Sequence, residues 1–323
     1  MILRSTKYAC VRRQASRLLW GLIVFAFGAV VARGLDRDRG MLECPRDPSQ
    51  FLQVQRDAAA GNAAAQTRLS SCYDLGRNVA PSRAENMHWL SLAAVQGYAP
   101  AQYELGRIYL YGRGIPADYK LAFLWEKKAA EQGEREAQRD LALMYERGFG
   151  VEQDAAQAAL WNRKAGEQGQ SDAQLHLAKA LEDSGQQNTE TLAWYLRAAE
   201  QKRPEAQLRL AQMYAQGQGT PQNYAAAVRW YKRAAESGEA QAMYELGQLY
   251  LAGNHVPKSA QSAFTWFELG ARFGSHESAA EAAKLEPTLT KKQKSAVDTY
   301  VSSWINRHSA AQKEEDEEEK KGR

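Results

Sequence analysis

The sequence predicts an all-α protein: an α-solenoid of six helix-turn-helix repeats with helical caps, preceded by one N-terminal membrane or signal segment. Three columns of residues predict it. Tryptophan recurs as Trp89, Trp125, Trp161, Trp194, Trp230 and Trp266, spaced 36, 36, 33, 36 and 36. A second column in the same phase holds Leu69, Leu105, Leu141, Leu177, Leu210 and Leu246. The third holds Tyr73, Tyr109, Tyr145, Leu181, Tyr214 and Tyr250. Columns that share one period mark an array, because a helical hairpin of this size buries its apolar faces only against neighbours.

The chain opens on a basic stretch. Residues 1–17 carry Arg4, Lys7, Arg12, Arg13 and Arg17 without an acid, so the net charge of +4 leaves −1 for residues 18–323. The body therefore has no excess positive field for phosphate, which argues against nucleic-acid binding. Fifteen uncharged residues follow, Leu18 to Ala32. They read as a transmembrane anchor stretched by snorkelling of Arg17 and Arg33, or as the apolar centre of a signal peptide cut after Val30-Val31-Ala32. The positive-inside bias keeps the N-terminus in the cytoplasm under either reading and sends the rest across. The expected location is the bacterial inner membrane, single pass, with the solenoid in the periplasm. Its alternative is a soluble periplasmic protein after cleavage. An endoplasmic reticulum membrane protein would give the same topology signal.

Residues 33–48 read as a linker. Cys44 and Cys72 would share an oxidising compartment and form a candidate disulfide that pins the N-terminal cap to the first hairpin. The alternative is a buried thiol at Cys72, in the column of Ile108, Met144 and Met213. The array with its caps covers 49–308. Residues 49–61 resemble a second helix without its tryptophan and cap the first unit.

The second unit shows the repeat most clearly. Ala101, Leu105, Ile108 and Tyr109 fall on one face of a first helix, ended by Gly112 and Gly114. Asp118 then suits the N-cap of a second helix bearing Ala122, Trp125, Ala129 and Ala130, which stops at Gly133. Small residues follow each core leucine (Ser70, Gly106, Ala142, Ala178, Ala211, Gly247), letting helix backbones approach while the indole fills the space between hairpins. Residues 275–286 resemble one more first helix. A closing helix starts at Thr290 with Ala296, Tyr300 and Trp304 on one face. The charged tail, 309–323, reads as disordered.

The pattern A-Q-x-x-L-G-x-x-Y-x-x-G-x-G, then D-x-x-x-A-x-x-W-x-x-x-A-A-x-x-G, resembles the Sel-1-like repeat, a relative of the tetratricopeptide repeat. Residues 101–133 match almost column for column, and the likeness runs from about Asn62 to Gly274. The first unit departs at Arg77 to Ser82, the fourth lacks three residues near Ser184 to Asn188, and the sixth has His255 where glycine is usual. The resemblance implies an adaptor or regulator in assembly of envelope, secretion or signalling complexes.

No catalytic residue, metal site or cofactor is nominated. The histidines (His88, His176, His255, His276, His308) never approach at ligand spacing, and HExxH, CxxC and GxSxG are absent. The Gly112-Arg113-Gly114 pair ends a helix instead of following a strand, so it is a cap and not a dinucleotide fingerprint. A β-lactam-linked hydrolase of the cysteine-rich repeat type would need paired cysteines inside the repeats, and only Cys72 lies in one. The variable first-helix columns opposite the apolar face are the expected binding groove for a protein partner. Their candidates are Glu104, Arg107, Tyr111, Asp140, Arg147, His176, Lys179, Arg209 and Glu245. A cell-wall glycan or peptide module, with Tyr103, Tyr111 and Tyr244 as stacking residues, is the alternative.

Overall fold

A computed structural model describes residues 43–322 except Asn254, with side chains through Ser309. The predicted basic segment and apolar run lie outside these residues. No helix among the described residues is long and apolar enough to cross a membrane. The architecture is an all-α solenoid of helical repeats, and no strand occurs among the described residues. The helices are α1 (Pro48–Ala59), α2 (Ala63–Leu75), α3 (Arg83–Val95), α4 (Ala99–Tyr111), α5 (Tyr119–Glu131), α6 (Arg135–Arg147), α7 (Ala155–Glu167) and α8 (Ser171–Asp183). They continue as α9 (Thr189–Glu200), α10 (Pro204–Gln216), α11 (Tyr224–Glu236), α12 (Ala240–Ala252), α13 (Ala260–Arg272), α14 (His276–Leu285) and α15 (Lys291–Gly322). The chain divides into two compact units, Met1–Leu177 and Ala178–Arg323, so α8 crosses the division. In the first unit each helix from α1 to α7 packs on the next, and in the second the same holds from α9 to α14.

Local chemistry sets the boundaries. The second helices start at side-chain caps. The Asp118 carboxylate accepts the Lys120 and Leu121 N–H groups at 3.0 Å, and Ser82, Asp154, Asn188, Asn223 and Ser259 cap in the same way. First helices end on a left-handed glycine such as Gly112, φ +63°, whose N–H donates to the Ile108 carbonyl. The second loop glycine has a further reason. A Cβ on Gly150 would stand 1.9 Å from the Tyr119 carbonyl oxygen, so this loop rests directly on the start of the preceding hairpin's second helix. His255 takes the equivalent place with φ +60° and stacks on Tyr224 instead, with ring centroids 3.8 Å apart.

The core leucines at 69, 105, 141, 177, 210 and 246 are all at most 2% exposed, each contributing roughly 2 kcal/mol of burial. Trp161, Trp194 and Trp230 are buried, while Trp89, Trp125 and Trp266 are half-buried. Four indoles carry a cation three residues on: Lys128 over Trp125, Lys164 over Trp161, Arg197 over Trp194 and Arg233 over Trp230, at 3.8–4.6 Å. The two glycines of the small column are covered by the residue after the tryptophan, not by the indole. A Cβ on Gly247 would lie 2.4 Å from the Phe267 ring, and one on Gly106 would lie 2.7 Å from the Glu126 carboxyl.

The Ala-Gln pair of the repeat has a mechanical role that periodicity does not reveal. Gln66, Gln102, Gln138, Gln174 and Gln207 are buried, and each side-chain amide donates to the carbonyl eight residues back, at 2.9–3.1 Å. Four of their carbonyls accept from the end of their own hairpin: Gln96 to Gln66, Gln132 to Gln102, Gln168 to Gln138, and the Ser237 hydroxyl to Gln207. Buried amides thus satisfied latch each hairpin to the one before it.

Both ends are covered. Cys44 and Cys72 form a disulfide with Cα atoms 4.9 Å apart. Arg77 donates to the Cys44 carbonyl at 2.9 Å, and Asn78 to the Pro45 carbonyl at 2.7 Å. The last residues of the expected linker are therefore strapped to the first hairpin before α1 begins. At the other end α15 packs on α13 through Val297, Val301 and Trp304. The expected face of Ala296 and Tyr300 is exposed instead, because the two valines offer more branched apolar surface one position on. The backbone of α15 continues helical to Gly322 through the tail expected to be disordered, where lysine and glutamate are strong helix formers.

Candidate functional site

The first unit holds a cavity of about 450 Å³ between the first helices of its leading hairpins. Its making is legible column by column. In the first hairpin α2 presents Thr67 and Ser71, where the following hairpins carry Tyr103, Arg139 and Leu175, and Arg107, Leu143 and Lys179. The missing side-chain volume opens the space. Leu90, Tyr98, Pro100, Tyr103 and Ile108 supply its apolar wall, and Arg83, Arg107 and Arg113 its cations. Arg83 is committed: it pairs with Asp74 at 2.9 Å and donates to the Asn86 side chain at 2.9 Å.

Three predicted residues meet here. Glu104 and Arg107 line the cavity, 3.9 Å apart, and Tyr111 stands exposed beside them. The Arg107 guanidinium lies 5.8 Å from the centre of the Tyr111 ring, and that of Arg113 lies 5.7 Å from it. Two cations therefore lie within 6 Å of one phenol. Sequence reading missed Asp74, Arg83, Arg113 and the small residues of α2; a comparison of side-chain volume along each column is the signal that finds them.

The remaining candidates stand elsewhere. Asp140 is not a groove residue: it is fully buried, 3.0 Å from Arg139. The wheel placed it opposite the core, but the neighbouring hairpin covers it. Burial pushes its carboxyl up to about 6, with Arg139 and Arg107 opposing and Glu136 and Glu104 adding to the rise. Glu126 on α5 is equally buried, and neither of its oxygens has a hydrogen-bond partner among the described residues. Burial, then Asp140 and Glu104, hold it well above the usual carboxylate range. Arg147 is exposed. His176 pairs with Glu146 at 3.3 Å; burial works against that carboxylate, but bonds from His176 and Asn162 hold it low.

In the second unit Lys179 pairs with Glu205. Arg209 grips Glu182 through two nitrogens, and the Tyr195 hydroxyl donates to the same carboxylate at 2.7 Å. Arg209 also donates to the side chains of Gln212 and Gln218. Glu245, half-buried, accepts from Gln241 at 3.1 Å. Of the three tyrosines named for glycan stacking, Tyr103 is buried at 7% exposure and Tyr244 is half-buried against Phe267, leaving only Tyr111 open. Among the described residues no cluster of three potential metal ligands occurs.

Comparison with known proteins agrees with this architecture. The Sel1 repeat family matches residues 63–98, 99–134, 135–170, 171–202, 204–239 and 240–274, hairpin by hairpin. Among solved structures the chain is similar to a Sel1 repeat protein from Oxalobacter formigenes, at 29% identity and a TM-score of 0.56, covering 75% of this chain and 96% of that one. It is also similar to c5321, a protective antigen of uropathogenic Escherichia coli displaying an SLR fold, at 26% identity and a TM-score of 0.39, covering 80% and 71%. None of the curated proteins matches it. With six matched repeats covering most of its length, the chain belongs to the Sel1 repeat family.

Proposed function

We propose that this chain is a non-enzymatic scaffold of the cell envelope that holds a partner protein on the variable face of its first helices. Sel1 repeat proteins are in general protein-interaction scaffolds. The observation that carries the reading here is the cavity of about 450 Å³ lined by Glu104, Arg107 and Arg113, which falls in the size range of ligand pockets. It is built by residues that depart from the repeat, whereas the repeat's own columns are spent on the core and the amide latches. The envelope part of the reading rests on the basic stretch before Leu18 to Ala32. The Cys44–Cys72 disulfide, a bond kept in oxidising compartments, supports it.

Two experiments test these parts separately. Photocrosslinking in cells from positions 107, 111 and 147 should capture one defined partner, and absence of any adduct at all three would end the scaffold reading. An alkaline phosphatase fused to the C-terminus should be active, and an inactive fusion would place the array on the cytoplasmic side.

A further inference from the structure

The cavity in the first unit also specifies what kind of segment fits it. Arg107 and Arg113 lie 5.8 and 5.7 Å from one phenol ring, and among the described residues neither guanidinium donates a hydrogen bond. Arg107 pairs with Glu104 at 3.9 Å, beyond hydrogen-bond reach. Arginine matches a carboxylate with two parallel N–H groups, so two guanidinium forks near the Tyr111 ring, without a hydrogen-bond acceptor among the described residues, form an acceptor-seeking clamp. The other lining charges do not fill this role: Asp74 is taken by Arg83, and Glu43, Glu104 and Glu134 are acids themselves. Beside the clamp the space left by Thr67, Ser70 and Ser71 is walled by Leu90, Tyr98 and Ile108.

Building on the scaffold reading, we propose that the pocket takes an extended partner segment in which an apolar side chain fills the cavity and a neighbouring aspartate or glutamate is gripped by Arg107 and Arg113. The lining acids Glu43 and Glu104 discriminate against segments with further acids and favour a single carboxylate beside the apolar anchor.

A random dodecapeptide display library panned on the full chain tests this. The expected result is an enriched motif of one acidic residue adjacent to an aliphatic or aromatic one. Binding of the winning peptide, followed by fluorescence anisotropy, should weaken about tenfold or more in Arg107→Gln and in Arg113→Gln, as loss of a charge-assisted pair predicts. Ser71→Leu restores the volume that the third hairpin carries in this column and should abolish binding while leaving the thermal midpoint unchanged. A basic or acid-free motif, or winning peptides indifferent to Arg107→Gln and Ser71→Leu, would overturn the proposal. If crosslinks form at position 147 while the pocket variants bind the partner normally, the scaffold stands and the pocket assignment falls. Loss of crosslinks at every position removes both.

Discussion

Replacing Asp140 by asparagine should change how stability depends on pH, in a direction fixed by burial. The folded carboxyl sits at about 6 against an ordinary 3.8, held there chiefly by loss of water. Between these values the folded chain binds the proton and the unfolded chain does not, so stability falls as pH rises through the window and stays low above it. The difference of about two pH units corresponds to about 3 kcal/mol, lost between roughly pH 4 and 7. An asparagine side chain keeps the shape and cannot ionise. The stability of Asp140→Asn relative to the parent chain should therefore climb by about 3 kcal/mol from pH 4 to 7. Any offset of the substitution that does not depend on pH cancels in that comparison. So do opposite contributions from carboxylates held low, such as Glu146 and Glu182. Urea unfolding followed by far-ultraviolet circular dichroism at four pH values measures it. Parallel curves for the two proteins, or a variant that loses ground as pH rises, would refute the reasoning.

Other outcomes follow from single contacts. Gly247→Ala drives a methyl into the Phe267 ring and should cost about 1–3 kcal/mol, seen as a lower urea midpoint; Ala142 in the same column tolerates its methyl. Gln138→Ala removes the latch between Ala130 and Gln168 and leaves a buried carbonyl without its donor, at about 1–3 kcal/mol; hydrogen exchange should speed up in α6 and α7 first. Reduction, or Cys44→Ser with Cys72→Ser, should free the strap and α1, exposing residues 43–59 to limited proteolysis and costing about 2–4 kcal/mol. Non-reducing mass spectrometry that finds two free thiols in exported protein would remove the bridge.

The fold was legible because its information is repeated. Each hairpin states again which residue is core (Leu105, Leu141), which is cap (Asp118, Asp154) and which ends the helix (Gly112, Gly148), so columns average away the ambiguity of any one segment. The site was legible only in part, for the opposite reason. A pocket is a departure from the column, and Thr67 and Ser71 matter by being smaller than their counterparts. Helical-wheel logic also treats one hairpin at a time, which is why Asp140 was expected on the open face when the adjoining hairpin covers it. The face of α15 slipped by one position because Ala296 and Val297 compete, and branched apolar surface outweighs alanine.

The amide latch has a sense of direction: each rung gives its N–H backward along the chain, and those at Gln66, Gln102, Gln138 and Gln207 receive from a residue thirty places ahead. Seams of this kind are chemically interchangeable, and a whole unit copied in tandem arrives with both halves of its fastening. The short fourth unit obeys the same grammar, since its missing residues fall in the turn near Ser184 to Asn188 and the rungs at Gln174 and Gln207 keep their spacing to the carbonyls behind them. Where the series reaches Met243, a thioether replaces the amide and the fastening stops. Lengthening by gene duplication is thus easy before that point and needs a new seam beyond it.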